Sequence, residues 1–278
     1  MDDISIYLSG TLLYGDDFSD GEIEDWYADE KDGYANLGAK DSGTYKYGYH
    51  ALNTYHGFRY LDADKFPHVM GFGSAYGDEL LPIISKIQQI TIVDPSDFFV
   101  RESVQGVPAR YIKPTPNGAL PLENDSFDLI TCLGVLHHIP NVSVVVKELV
   151  RTLRPGGYIV LREPIVSMGD WRKPRRGLTK RERGIPIRLL RTICSDSGLV
   201  VIRESLCDFP LTSRMFRMLR MDMYSSRIGT RLDGLLSALF AWNVNYHARN
   251  LWQRLRPASA FLVLRKPPPR TGLLKGEM

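Results

Sequence analysis

Residues 68–77 read His-Val-Met-Gly-Phe-Gly-Ser-Ala-Tyr-Gly. A short apolar run enters a loop with glycines at 71, 73 and 77 and Ala75 between them. Asp78-Glu79-Leu80-Leu81 comes next as a first helical turn, with acids at its positive end. A strand that turns into a helix through small residues lets a ligand reach the backbone, with the first helix amides aimed at it. Gly73 and Ala75 clear that approach, and Gly77 is expected to let the helix pack on the sheet. Loops of this kind also serve simply to turn a chain, so the rest of the sequence has to decide.

Strands and helices alternate around this loop and beyond it. Residues 69–72 read as a strand and 79–87 as a helix, with Pro82 tolerated in its first turn. Residues 90–93 are a β-branched strand ending at Asp94. Residues 107–112 form a short third strand, and 127–132 a fourth, apolar on both faces as parallel strands are. Asn141 is expected to cap a helix through Leu153, whose Val144, Val145, Leu149 and Leu153 share one side. Arg154-Pro155-Gly156-Gly157 stops it, and 158–161 is the fifth strand. A helix over 186–197 and strands at 199–202 and 261–264 complete the pattern. Such alternation predicts an α/β doubly wound, mostly parallel, seven-stranded sheet. The expected organisation is an N-terminal acidic and aromatic extension (1–66), a core (67–206), a helical insertion (207–257), and a last strand with a basic tail (258–278).

With 278 residues, 44% of them apolar, the chain can build one large core or a core with a small subdomain. No apolar run approaches the roughly 18–20 residues of a membrane span. The three cysteines suit neither a disulfide framework nor a zinc site, and Met1-Asp2-Asp3 lacks the basic start of a signal peptide. A reducing, cytoplasmic setting is expected. Charge is uneven: residues 1–33 carry −10 and the remainder +13. Seven cations lie within 172–183. They read as a solvated basic face, or as a clamp for an anionic substrate or acidic headgroups. Nucleic acid is not expected, because only Trp171 offers a stacking platform there.

The segments from 67 to 165 together resemble a class I S-adenosylmethionine (SAM)-dependent methyltransferase. The similarity is greatest to the subgroup that includes ubiquinone- and menaquinone-pathway and sugar methyltransferases. It is carried by residues 69–77, Asp94, Leu120-Pro121-Leu122 with Asp125-Ser126-Phe127-Asp128, Leu136-His137-His138-Ile139-Pro140, and Leu153-Arg154-Pro155-Gly156-Gly157. The resemblance implies that SAM is the cofactor. Its methionine would lie along Gly71, Phe72, Gly73, Ser74, Ala75 and Gly77, and its ribose on Asp94. Its adenine would sit near Pro95, Ser96 and Asn117, with Leu133 beside the sulfonium. Arg59 is the candidate partner for the cofactor carboxylate. Two positions depart from the family: Gly71 stands where an acid is usual, and Pro116-Asn117 where an acid-plus-small pair is usual.

Methyl transfer from a sulfonium needs alignment and exclusion of water more than activation of the leaving group. A hydroxyl acceptor also needs a base. His138 and His137 are the nearest imidazoles, Glu163 ends the fifth strand on the ligand side, and His56 and His247 are further candidates. No spacing indicates a metal. The expected acceptor is a small-molecule or glycan-linked hydroxyl, with an anionic or lipid-linked sugar of surface polysaccharides favoured. A nicotinamide dehydrogenase and a non-catalytic binding relative stay open as alternatives. The insertion, rich in methionine and arginine, reads as a packed subdomain, a lid over a bulky acceptor, or an amphipathic face for peripheral membrane contact. Oligomeric state is not legible.

Overall fold

The computed structural model describes residues 4–37, 45–173, 175 and 177–269. Eight strands form one sheet: β1 (Phe66–Phe72), β2 (Ile87–Val93), β3 (Ser103–Val104), β4 (Val107–Ile112), β5 (Phe127–Leu133), β6 (Leu153–Pro164), β7 (Val200–Cys207) and β8 (Ser259–Arg265). Their order is β3-β4-β2-β1-β5-β6-β8-β7. The run from β4 to β6 is parallel, and β8 inserts antiparallel between β6 and β7. The sheet exceeds the expected seven strands by β3, a two-residue strand hairpinned on β4 through Gln105 and Gly106, both at positive φ. Two residues are too few to show an alternation.

The period of a strand divides the core. Met70, Phe72, Ile130, Cys132, Ile159, Leu161 and Leu262 face one side. There they meet α4 (Val142–Thr152) and α5 (Ile187–Asp196). Val69, Ile92, Leu129, Val160 and Val263 face the other. There they meet Leu52 of α3 (His50–His56) and Leu80 and Ile83 of a turn over Asp78–Lys86. That turn is a 3-10 helix, not the α-helix its spacing suggested. Pro82 removes an amide from a nine-residue segment, so the α-helical pattern has little to propagate through.

The acidic N-terminus is built into the fold. It holds α1 (Ile4–Leu8) and α2 (Asp20–Leu37). Trp26 is fully buried and donates its Nε1–H to the carbonyl of His138 at 2.7 Å, and Tyr14 stacks on Trp171. Asp16 accepts from the Ser143 amide at 2.7 Å and caps α4 from afar. Asn141 therefore does not cap with its side chain, as the sequence suggested; its amide reaches the carbonyl of Asn117 instead, at 2.7 Å. The basic run is matched by the same acids: Asp29 pairs with Lys180 and Arg181. Arg172 pairs with Asp170. Arg176 and the basic tail beyond 269 lie outside the described residues.

In the insertion, α6 (Pro210–Met218) packs on α7 (Arg227–Leu239), and α7 lies against β7 and α3.

Candidate active site

The C-terminal ends of β1, β2, β5 and β6 converge, as parallel α/β sites do. After β1 the backbone turns through Gly73, Ala75 and Gly77, all at positive φ (63°, 48° and 74°). A side chain at Gly71 would meet Ser74 Oγ at 2.6 Å, and one at Gly73 would meet Val135 at 2.5 Å. Gly77 abuts Val104 and Ile92. Asp94, at the end of β2, holds the loop: Oδ2 accepts from the Ala75 amide at 3.1 Å and Oδ1 from the Ser96 amide at 3.0 Å. The amide bond to Asp94 helps to fix Ala75 in a conformation costly for a residue with a Cβ. Burial raises the Asp94 carboxyl, offset by these two amides.

A cavity of about 400 Å³ opens at this edge. Its floor is Gly73, Ser74, Ala75, Leu133 and Gly134, and residues 45–49 form its wall. Three charged residues line it: Lys46 in the wall, and Glu79 and Arg162. Glu79 is 3% exposed and accepts from Thr131 Oγ1 at 3.2 Å. Burial pushes its carboxyl up to about 7, against hydrogen bonds from Ser74 and Thr131. The Arg162 guanidinium lies 4.2 Å over the Tyr49 ring, and its Nη1 is buried with no hydrogen-bond partner. A cavity holding a buried carboxylate and an unsatisfied guanidinium nitrogen is complementary to an amino acid zwitterion. The residues present therefore fit the methionine end of SAM.

Neither Glu79 nor Arg162 was singled out by sequence reasoning as a binding group. The readable signal for Glu79 was the missing acid at Gly71 with a carboxylate eight residues on. Arg59 lies elsewhere: it is exposed, stacked over Tyr55 at 4.0 Å and bonded to the Tyr60 hydroxyl. Asn117 closes its own turn, its Oδ1 accepting from Thr115 Oγ1 and the Ala119 amide. Ser96 Oγ accepts from the Phe98 amide and starts a 3-10 turn after Pro95. Phe72 is a core residue.

The loop after β5 is gripped from behind. Glu163 is fully buried; its Oε1 accepts from the Val135 and Leu136 amides at 2.9 and 2.8 Å. Its Oε2 accepts from the His137 amide and faces His137 Nδ1 at 2.8 Å. Glu163 thus positions the loop. His138 Nδ1 meets Glu30 at 3.0 Å, and Glu30 also accepts from Thr179 and the Arg181 amide. Burial lowers His137 first, and His138 lowers it further. A Cβ at Gly134 would lie an ordinary contact distance, 3.7 Å, from His137 Cε1; Gly134 lines the cavity and the buried His137 lies behind it. His137, His138 and Glu182 bring ligand atoms within 4.8 Å of one another, a juxtaposition no spacing announced. Arg175 interacts electrostatically with Glu182 and Glu30, and Arg183 with Glu163 and Glu30, so both arginines offset carboxylates of this cluster.

His56 bonds Ser205 and His247 bonds Ser167, both away from the lining of this cavity. Among the described residues, none of the insertion (207–257) is in the lining of this cavity. The insertion abuts the wall through Tyr224, which stacks on Tyr49.

A mostly parallel sheet with an antiparallel strand beside β6, and a glycine loop tied to an acid on β2, define the class I SAM-dependent methyltransferase fold. Residues 70–161 match the family described as a methyltransferase domain, and this segment belongs to it. The chain is similar to phthiotriol/phenolphthiotriol dimycocerosates methyltransferase 1 of Mycobacterium ulcerans, 36% identical over 70 residues. That match covers 23% of this chain and 26% of the relative, so the chain spans about a quarter of its length. Among solved structures it resembles the [4+2]-cyclase SpnF, with 16% identity, a TM-score of 0.56, and coverage of 92% of this chain and 99% of that one. It also resembles phosphoethanolamine N-methyltransferase 2 of Haemonchus contortus, solved with S-adenosylhomocysteine (SAH). Identity there is 15%, the TM-score 0.53, and coverage 78% of this chain and 52% of that one.

Proposed function

We propose that this protein binds SAM and transfers its methyl group to a hydroxyl of a small-molecule or glycan-linked acceptor. The carrying observation is the cavity lined by both Glu79 and Arg162. Glu79 would take the ammonium of the methionine moiety in place of the acid absent at Gly71, and Arg162 the carboxylate, with Asp94 left for the ribose. The cofactor supplies an electrophilic methyl on a sulfonium. The chain's own part is alignment and exclusion of water, with residues 45–49 as the wall. For a hydroxyl acceptor, the imidazole of His137 is the assigned base. Donation of Nδ1–H to Glu163 selects the tautomer whose Nε2 accepts a proton. His138, oriented by Glu30, supports it.

The reading is supported by the family of residues 70–161 and by the fold; a [4+2]-cyclase on the same fold makes a direct test necessary. Calorimetry should show binding of SAM and SAH and none of NAD. Incubation of lipid and glycan extracts with isotopically labelled methyl donor should then yield a labelled methyl ether. Binding of NAD alone assigns a dehydrogenase, and cofactor binding with no labelled product in any extract refutes the transfer.

A further inference from the structure

Helix α7 is inverted relative to an ordinary packed helix. Its buried positions are Gly229, Thr230, Asp233 and Ser237. Ile228, Leu235 and Leu239 are 79%, 66% and 64% exposed, and Trp242 just beyond is 79% exposed. Their spacing sets the helical three on one stripe. Helix α6 repeats the arrangement, with Thr212 and Phe216 buried while Met215 and Met218 are 41% and 85% exposed. Asn243 donates to the carbonyls of Trp252 and Leu255, both at 2.8 Å, and so ties the exposed Trp252 to the turn that carries Trp242. Exposed apolar side chains on consecutive elements are more than the scattered exposure of an ordinary surface.

The charge of the same region is one-sided. Residues 208–257 contain eight arginines, three aspartates, and no lysine or glutamate. Asp233 is fully buried under the Asp208 and Phe209 amides. Asp208 accepts from Tyr224, and Asp222 from Ser225. Seven of the arginines are not buried, and no ion pair among the described residues involves any of them. A second copy seated symmetrically here would set this arginine-rich face against itself, which like charges oppose. Arginines set beside protruding Trp, Leu and Met suit anionic headgroups over an acyl boundary.

The face also adjoins the cavity. Ser225 Oγ donates to the Gly48 carbonyl at 3.3 Å, and Tyr224 stacks on Tyr49; Gly48 and Tyr49 line the cavity wall. We infer that the α6–α7 surface docks the protein on an anionic lipid bilayer, beside the wall of the methyl-transfer cavity. This rests on the proposed function only for its corollary, that the acceptor is presented at the membrane.

The test is co-sedimentation with vesicles of phosphatidylcholine, with and without phosphatidylglycerol, at low and high salt. Trp26 and Trp171 are buried, so the fluorescence of Trp242 and Trp252 reports contact. Docking should require phosphatidylglycerol, weaken with salt, and shift tryptophan emission to the blue. Arg217→Glu with Arg220→Glu should weaken it by about tenfold or more, and Trp242→Ser with Trp252→Ser should lower partitioning comparably. Circular dichroism and SAH affinity on the same samples show that the variants are folded and keep the cofactor reading separate. No binding to anionic vesicles overturns the inference, as does binding that both variants retain. A dimer in sedimentation velocity that the Trp pair variant dissolves assigns the face to a second copy and overturns it as well.

Discussion

Glu79→Gln should act in opposite directions on folding and on binding. The Glu79 carboxyl is fully buried and sits at about 7 instead of 4.5, chiefly because burial penalises its charge. Held there, it costs the cofactor-free protein about 3 kcal/mol at a pH well above 7. The sign comes from linkage. Below 4.5 the group is protonated in both folded and unfolded chains and costs nothing. As pH rises from 4.5 to about 7 the unfolded chain ionises and the folded one does not, so stability falls through that window and levels off above it. Gln at 79 should remove this slope and raise the denaturation midpoint at pH 8, with no gain at pH 4. Cofactor binding should respond the other way. Loss of a charge-assisted bond to the ammonium costs about 1.5–3 kcal/mol, or about ten- to a hundredfold in SAH affinity. 5′-Methylthioadenosine, which lacks the amino acid, should bind both forms equally. For the wild type, SAH affinity should fall by about tenfold per pH unit below about 7, because binding then requires a proton to leave Glu79. Calorimetry over pH 5–9 with both ligands checks this. Equal losses for SAH and methylthioadenosine, or the same pH profile in the variant, would refute the reasoning.

Three more outcomes concern side chains that hold the site. Arg183 is fully buried and donates to the carbonyls of Tyr14, Leu136, His137, Ile139 and Pro140. Arg183→Met should cost about 3 kcal/mol or more in urea denaturation, and Arg183→Lys should recover only part, since an ammonium cannot span that set of acceptors. Glu163→Gln turns an amide toward the His137 donors; it should destabilise by about 2 kcal/mol and shift the His137 ring-nitrogen signals in NMR. For Glu30, burial raises the carboxyl, but hydrogen bonds from His138, Thr179 and the Arg181 amide together hold it below 4.5. Its stabilisation is therefore present above 4.5 and lost as pH falls through its lowered value. Trp26 emission should redden on acidification in the wild type, and Glu30→Gln should show the altered emission already at neutral pH.

The core was legible because strands announce themselves by apolar, β-branched runs and because βα alternation admits few topologies. The strands at 107–112 and 261–264 are found where their sequence patterns place them for that reason. Side-chain partnerships across long sequence distances have no period and leave no such mark. Asp16 capping α4, Glu30 under His138, and Arg183 beneath five carbonyls each join residues more than 40 positions apart. Arg59 shows the converse: an arginine near the first strand in sequence suited the need for a cation, while the cations that line the cavity are Lys46 and Arg162, the latter at the end of β6.

The charge asymmetry of the chain has its explanation in these same partnerships. The acidic leader and the basic run are joined to each other, Asp29 to Lys180 and Arg181, Glu30 to Thr179 and the Arg181 amide. Between them they enclose the loop from Val135 to Asn141. Trp26 bonds one carbonyl of that loop, Arg183 four more, and Asp16 the helix that leaves it. A loop that carries the candidate base is thus shaped by residues outside the segment matched by the methyltransferase family, residues 70–161. The glycine floor of the cavity lies within that segment, and the residues that brace the 135–141 loop lie largely beyond it. Substituting the leader or the 179–183 run should accordingly change which acceptor reacts while leaving SAH affinity near its original value, and parallel loss of both would mean that the two halves of the site are one mechanical unit.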